Sequence, residues 1–336
     1  MNIVRWATSE FKPVESDTNV SRGYVPRTRS EKQEKARCIL LYMFLVAGML
    51  YMKTRDSRKK IAEDTVRIIK NQTYTNKKNE TVSLYKKDTH IDYKSKLYTE
   101  EETLRIKRTT DISQKDIKPT VKVTKDSVVD AILKFGSKPK EYGKVAVLNF
   151  ASARHAGGGF LKGSMSQEEA IALSSDLYYR IKDFENFYKY KKHYETPLYS
   201  HRMIYTNNLV VFRNSKGELL NYPINVDVIT SPAVNVRDLK QKKMYDLLKK
   251  SEEVMEDRIE RIIALAKCNN VDTLILGAFG AGVFENNPYK VKEAFIKVLN
   301  KPEYRSEFKH VIFAIYEKPQ DRNKLYNIFS SIKINV

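Results

Sequence analysis

From residue 121 to the end of the chain, short apolar runs alternate with helical periodicities, and that alternation restricts the possible architecture more than any other feature. Strands are expected at Val121–Val123, Val145–Phe150, Leu209–Phe212, Val226–Thr230, Thr273–Gly277 and His310–Tyr316. Helices are expected at Ser127–Phe135, Ser166–Lys182, Leu239–Cys268, Pro288–Leu299 and Asp321–Phe329. Short apolar strands separated by amphipathic helices predict an α/β domain with helices covering both faces of a sheet. In such sheets ligands sit beyond the carboxyl ends of the central strands.

Two glycine-rich loops each follow one of these strands. The first, Gly157-Gly158-Gly159, comes shortly after Val145–Phe150 and is followed, after seven residues, by Gln167-Glu168-Glu169 at the start of a helix. Glycine lets a backbone approach a bulky ligand and take positive φ without strain. A carboxylate pair beyond such a loop can reach a sugar held against it. Ser166-Gln167-Glu168-Glu169 also fits a capping box, in which Glu169 reaches back to the Ser166 N–H. A cap has no use for three glycines nearby, and the two roles can coexist. The second loop, Gly277-Ala278-Phe279-Gly280-Ala281-Gly282-Val283-Phe284, exposes consecutive N–H groups that can wrap a diphosphate. It lacks the lysine and Ser/Thr of a P-loop and the spacing of the dinucleotide fingerprint. Taken alone, a tight turn explains it as well. The six tyrosines between Tyr178 and Tyr199 fit a half-buried helix face as readily as a stacking surface, and no binding role is assigned to them.

At 336 residues the chain holds one large domain or two ordinary ones. Its net charge of +20 is spread along the sequence and favours polyanionic partners without naming one. No recognisable motif supports nucleic-acid binding. Two distant cysteines and five scattered histidines give neither a disulfide framework nor metal-ligand spacing, so metal-independent, cofactor-free chemistry in a reducing, intracellular compartment is the expectation. Residues 1–37 read as a polar tail. Cys38–Met52 is uncharged over fifteen residues and flanked by basic side chains; it is shorter than the roughly 17 residues at the lower limit of a membrane span. A helix buried against the main domain and a short membrane anchor both stay open. From Asp56, Ile61, Thr65, Ile68 and Ile69 share one helical face, and residues 86–120 read as charged loops with a short helix at Glu100–Arg108.

Together these segments resemble the bacterial-type poly(ADP-ribose) glycohydrolases, a branch of the macrodomain superfamily. Gly157-Gly158-Gly159 with Gln167-Glu168-Glu169 carries the signature. Asn149-Phe150-Ala151-Ser152-Ala153, Val228–Asn235, Leu276–Phe284 and the helix at Arg58–Thr65 follow the family's order. The resemblance covers about residues 55–330. It implies a three-layer α/β/α macrodomain with a mixed central sheet over 121–336 and an accessory helical region over 55–120, and it leaves the tail over 1–54, with its short apolar segment, unexplained. It implies hydrolysis of ribose–ribose O-glycosidic bonds in poly(ADP-ribose), releasing ADP-ribose from chain ends; a mono-ADP-ribosyl hydrolase acting on modified protein or nucleobase, or a non-catalytic reader, are the alternatives. By resemblance Glu169 is the catalytic acid and Glu168 helps hold the ribose. Gly157, Gly158 and Gly159 pass close to the terminal ADP-ribose, Gln167 supports the loop, and Asn149 lies near the ribose. Gly280, Ala281, Gly282 and Val283 hold the diphosphate, with Phe284 on the sugar or purine side. A buried glutamate beside a second carboxylate should hold its proton to a higher pH than usual. His155-Ala156, Met165-Ser166 and Ala281 depart from the family's usual residues without removing a catalytic group.

Overall fold

The computed structural model describes residues 54–86, 91–321 and 324–334; the expected tail over 1–37 and the apolar segment 38–52 lie outside them. The strands in chain order are β1 (Thr73–Thr75), β2 (Thr81–Ser83), β3 (Ser95–Tyr98), β4 (Thr120–Thr124), β5 (Val145–Phe150), β6 (Met203–Arg213), β7 (Leu219–Ser231), β8 (Thr273–Leu276) and β9 (His310–Ala314). β1 and β2 form a separate hairpin; the other seven make one mixed sheet in the order β3-β6-β7-β5-β8-β9-β4. β7, β5, β8, β9 and β4 run parallel, whereas β6 is antiparallel to β7 and β3 to β6.

The two-residue period of the central strands divides the core. Val145 and Val147 of β5 join one apolar cluster, Ala146 and Leu148 the other. Ile275 of β8 and Ile312 of β9 belong with the first, and Leu274, Leu276, Val311 and Phe313 with the second. On the first face lie α1 (Arg55–Asn71), α3 (Val128–Ala131), α4 (Gln167–Ser174) and α5 (Leu177–Ile181). The second carries α6 (Ser251–Cys268), α7 (Pro288–Leu299) and α8 (Lys324–Phe329). Another helix, α2 (Glu100–Arg108), opens with a complete capping box between Thr99 and Glu102. Among the described residues no helix is long and apolar enough to cross a membrane.

Several elements differ from the sequence expectation. The helix expected over Ser166–Lys182 is two helices, because Ser175 leaves helical geometry to bridge Val211 and Asp176 accepts the Val210 N–H at 2.9 Å. That expected over Leu239–Cys268 is three pieces, Val236–Gln241, Tyr245–Lys249 and α6, with Lys243 at φ +54 between the first two. Asp321–Phe329 resolves into a 3₁₀ turn at Pro319–Asp321 and α8. β6 and β7 extend well past the expected cores, and β3, read as loop, is the edge strand beside β6.

α1 matters most to the site. Thr54 caps it, and Ile61, Ala62, Thr65, Ile68 and Ile69 are its buried face. The Thr65 hydroxyl donates to the Leu173 carbonyl at 2.8 Å, tying α1 to α4. Arg55 Nε and Arg58 Nε donate to the carbonyls of Lys162 and Gly163, each at 2.8 Å, so α1 also grips the end of the first glycine loop. Removing the Ile61 side chain should therefore cost about 2–5 kcal/mol, the range for a fully buried aliphatic truncated to alanine. Denaturant unfolding of Ile61→Ala checks this; a loss well below about 1 kcal/mol would contradict the packing of α1 against the sheet.

Candidate active site

The parallel strands deliver their carboxyl ends to one edge of the sheet, and the site is built where β5 and β8 part. β8 pairs with β5 only as far as Ile275 opposite Val147. Past that point the Gln167 side chain takes over: its Nε2 donates to the Leu148 carbonyl at 2.7 Å and its Oε1 accepts the Phe150 N–H at 2.9 Å. An amide carries both a donor and an acceptor, so this one side chain satisfies two backbone groups that the diverging strand leaves behind. The start of α4 is thereby pinned to the end of β5.

This fixes the two glutamates. Glu168, 2% exposed, accepts the Ser152 N–H at 2.7 Å and the Asn149 amide at 3.3 Å. Asn149 also reaches the Thr230 hydroxyl at 3.3 Å across the β5–β7 pair, while its Oδ1 has no hydrogen-bond partner among the described residues. Glu169, 8% exposed, accepts the Gly159 N–H at 2.9 Å and the Ser166 N–H at 3.0 Å, and the Ser166 hydroxyl also bonds to it. The capping-box contact thus coexists with a second anchor from the glycine loop. Burial pushes the Glu168 carboxyl up to about 8, the Glu169 charge adds to the rise, and the Ser152 N–H and the Asn149 amide oppose it.

Gly158 has φ +59, and a Cβ there would stand 2.9 Å from the Glu169 carboxyl carbon and 3.2 Å from a Glu168 oxygen. Of the three consecutive glycines only Gly158 lines the cleft. Gly157 makes room for the Phe160 ring and Ala172, and Gly159 for the Ser164 side chain while donating to Glu169. Asn149 likewise sits behind the cleft wall, supporting Glu168.

The cleft measures about 1580 Å³ and runs along the crest of the sheet. Gln167, Glu168, Glu169 and all of Gly280 to Phe284 line it, so both glycine loops meet at one place. In the second loop Gly280 is at φ +73, where a side chain would strike Ala233, and Asn286 Nδ2 holds the Gly280 and Val234 carbonyls at 3.0 and 2.7 Å. Gly282 is different: a Cβ on it would meet nothing within 4 Å. The N–H groups of Gly282, Val283 and Phe284 donate no hydrogen bond among the described residues. Successive unclaimed N–H groups on a small-residue turn suit an anion.

Sequence reasoning missed the side chains that brace these loops. His193, fully buried, bonds through Nδ1 to the Ala153 carbonyl at 3.0 Å and through Nε2 to the Ser200 hydroxyl at 2.6 Å. Burial lowers its pKa to about 4, so the ring is neutral, with Nδ1–H donating and Nε2 accepting. Arg154 donates to the His193 carbonyl from Nε and Nη2. Arg258, also fully buried, donates to the carbonyls of Pro232, Leu198 and Tyr199 at 2.9, 2.8 and 3.4 Å, holding Tyr199 in its left-handed conformation at φ +57 beside Phe284. Burial brings its pKa down to about 10, which leaves it charged near neutrality. Each acts on backbone carbonyls distant in sequence, a role that no local pattern announces. Among the described residues no group of three or more potential metal ligands occurs.

Residues 62–214 match the family model of the microbial-type PARG catalytic domain. The fold is similar to the crystal structure of poly(ADP-ribose) glycohydrolase from Thermomonospora curvata, with a TM-score of 0.73 and 30% identity over 82% of this chain and 98% of that one. A structure of the Thermomonospora curvata enzyme bound to the inhibitor ADP-HPD gives 0.71 and 30% over the same shares. The Deinococcus radiodurans glycohydrolase in complex with ADP-ribose gives 0.64 and 28% over 70% of this chain and 92% of that one. No curated protein matches the sequence. With the glycine loop, the paired glutamates and nearly the whole length of a solved relative in common, the chain belongs to the microbial-type poly(ADP-ribose) glycohydrolase family.

Proposed function

We propose that the protein hydrolyses ribose–ribose O-glycosidic bonds of poly(ADP-ribose), releasing ADP-ribose from chain ends, with Glu169 as the residue that moves the proton. The observation that carries this reading is the convergence of two different devices on one cleft: a carboxylate pair at the head of α4 and a loop of unclaimed N–H groups after β8. A diphosphate held by Gly282, Val283 and Phe284 sets the sugar beyond it against Gly158 and the glutamates. The Deinococcus radiodurans relative was solved in complex with ADP-ribose, which supports an ADP-ribose ligand here.

The chemistry follows from the two carboxyls. The glutamate pair holds one proton, and Glu169 passes it to the leaving ribose oxygen as the C1–O bond breaks, while positive charge develops on the ribose in an oxocarbenium-like transition state. The resulting Glu169 carboxylate takes a proton from water as the water oxygen attacks C1, which restores the acid. One residue does both steps because Glu169 is the more exposed of the pair, 8% against 2% for Glu168. Glu168 instead limits the charge of the site and holds the ribose. Asn149 suits either state of Glu168, offering its amide nitrogen to a carboxylate or its oxygen to the acid.

Wild type is expected to release ADP-ribose from poly(ADP-ribosyl)ated protein, and Glu169→Gln to lose release by about 10²- to 10⁴-fold, the usual worth of a positioned acid–base group, while still binding ADP-ribose. Binding without release from either protein would leave a reader or a hydrolase of a mono-ADP-ribosyl linkage. A second expectation concerns pH. Above about 8, loss of the Glu168 proton puts another negative charge beside Glu169 and the anionic ligand. ADP-ribose affinity measured by calorimetry should therefore weaken as pH rises through that value in wild type but not in Glu168→Gln. Stability moves with the same proton. Unfolded Glu168 loses its proton near the ordinary 4.5 while the folded state keeps it to about 8, so stability falls as pH rises between the two. Glu168→Gln should accordingly gain more in Tm at the top of this window than at the bottom; an equal change at both ends would contradict the shift.

A further inference from the structure

The cleft is larger than one nucleotide sugar requires. At about 1580 Å³ it exceeds the roughly 300–1,000 Å³ of an ordinary small-molecule site. The sheet beneath orders its walls as β4, β9, β8, β5 and β7. With the diphosphate at the loop after β8 and the scissile ribose at Glu169 above β5, the rest of the terminal unit extends back over β9 and β4. Whatever is attached beyond the scissile bond then extends the other way, toward the β7 side.

Arg154 and His155 line the cleft two and three residues past Ser152, the anchor of Glu168, and Arg154 bonds to His193, in the segment whose Pro197 carbonyl accepts the Asn235 N–H just past β7. The Arg154 guanidinium lies 5.0 Å from the centre of the Tyr194 ring, and Tyr194 is 51% exposed. The ring is held in place, since its hydroxyl donates to the Tyr188 carbonyl at 3.1 Å. Arg154 spends Nε and Nη2 on the His193 carbonyl, while no carboxylate pairs with it and its Nη1 has no hydrogen-bond partner among the described residues. The neighbouring cations are otherwise engaged: Lys189 pairs with Glu185, Lys191 with Glu195 and Lys192 with Glu100, while Arg202 stacks 3.6 Å over Tyr190. The uncompensated cation therefore lines the cleft, with the fixed, exposed aromatic ring stacked beside it.

We propose that Arg154 and Tyr194 form a second subsite that holds a nucleoside diphosphate unit on the leaving-group side of the scissile bond. Tyr194 supplies a face for the base, and Arg154 supplies charge and a donor for the diphosphate. The proposal rests on the glycohydrolase reading and deepens it: the enzyme grips the polymer on both sides of the bond it breaks, so the penultimate unit contributes to recognition.

The test compares wild type, Tyr194→Ala and Tyr194→Phe on linear poly(ADP-ribose) and on an aryl glycoside of ADP-ribose, which has no nucleotide beyond the scissile bond. Tyr194→Ala should raise KM for the polymer about tenfold with kcat little changed, because a stacked base is lost. It should leave the aryl glycoside unaffected, and Tyr194→Phe should behave as wild type on both. Unchanged polymer kinetics in Tyr194→Ala would overturn the subsite, and so would an equal loss on both substrates, which marks a residue that only supports the 151–155 loop. Wild type that cleaves neither substrate would instead sink the glycohydrolase reading itself.

Discussion

Glu169 and the backbone of Gly158 and Gly159 compete for one small volume, and the rest of the site depends on how that competition is resolved. The carboxylate accepts the Gly159 N–H and lies where a Cβ of residue 158 would have to be. The loop can hold Glu169 only because residue 158 has no side chain and tolerates φ +59. The second oxygen of Glu169 closes the capping box with Ser166, so the head of α4 and the glycine loop are locked to each other through one carboxyl. α1 secures the far end of the same loop with Arg55 and Arg58, which ties Glu169 to an element more than 100 residues earlier in the chain.

Burial decides how the two adjacent carboxyls divide their work. Two ionised glutamates side by side would be strongly disfavoured in a site this enclosed. Glu168 absorbs the cost by keeping its proton to a higher pH, and Asn149, Thr230 and Ser152 supply the polar contacts that make a buried carboxyl tolerable. Around them, neutral His193 and charged Arg258 spend their donors on carbonyls of loops that have no regular partner. The floor of the cleft is thus rigid backbone held by buried polar side chains, as preorganised catalysis requires.

The legible parts of this molecule are those whose physics is local. Val145–Phe150 reads as a strand because it is apolar on both faces, and it proves to be the middle of the sheet. Gly157–Gly159 reads as a tight loop and Gln167–Glu169 as a helix start because glycine and capping chemistry act within a few residues. Other parts are set by distant neighbours. Ser95–Tyr98 carries too little apolar character to announce an edge strand, and it exists because β6 offers it a ladder. The break at Ser175 interrupts a sequence that would continue as helix, since the β6 backbone at Val210 and Val211 claims Ser175 and Asp176. No local pattern announces that Gln167 stands in for β8, and Arg258 reaches carbonyls some 60 residues away.

The most direct test of this account is the steady-state rate of ADP-ribose release from poly(ADP-ribose) by Gly158→Ala, measured on protein shown by circular dichroism to remain folded. If the loop holds the acid as described, one methyl group displaces Glu169, and release should fall by about 100-fold or more, the scale of a lost acid–base group. Release close to the wild-type rate from the folded variant would contradict the claim that the glycine loop positions Glu169 for proton transfer.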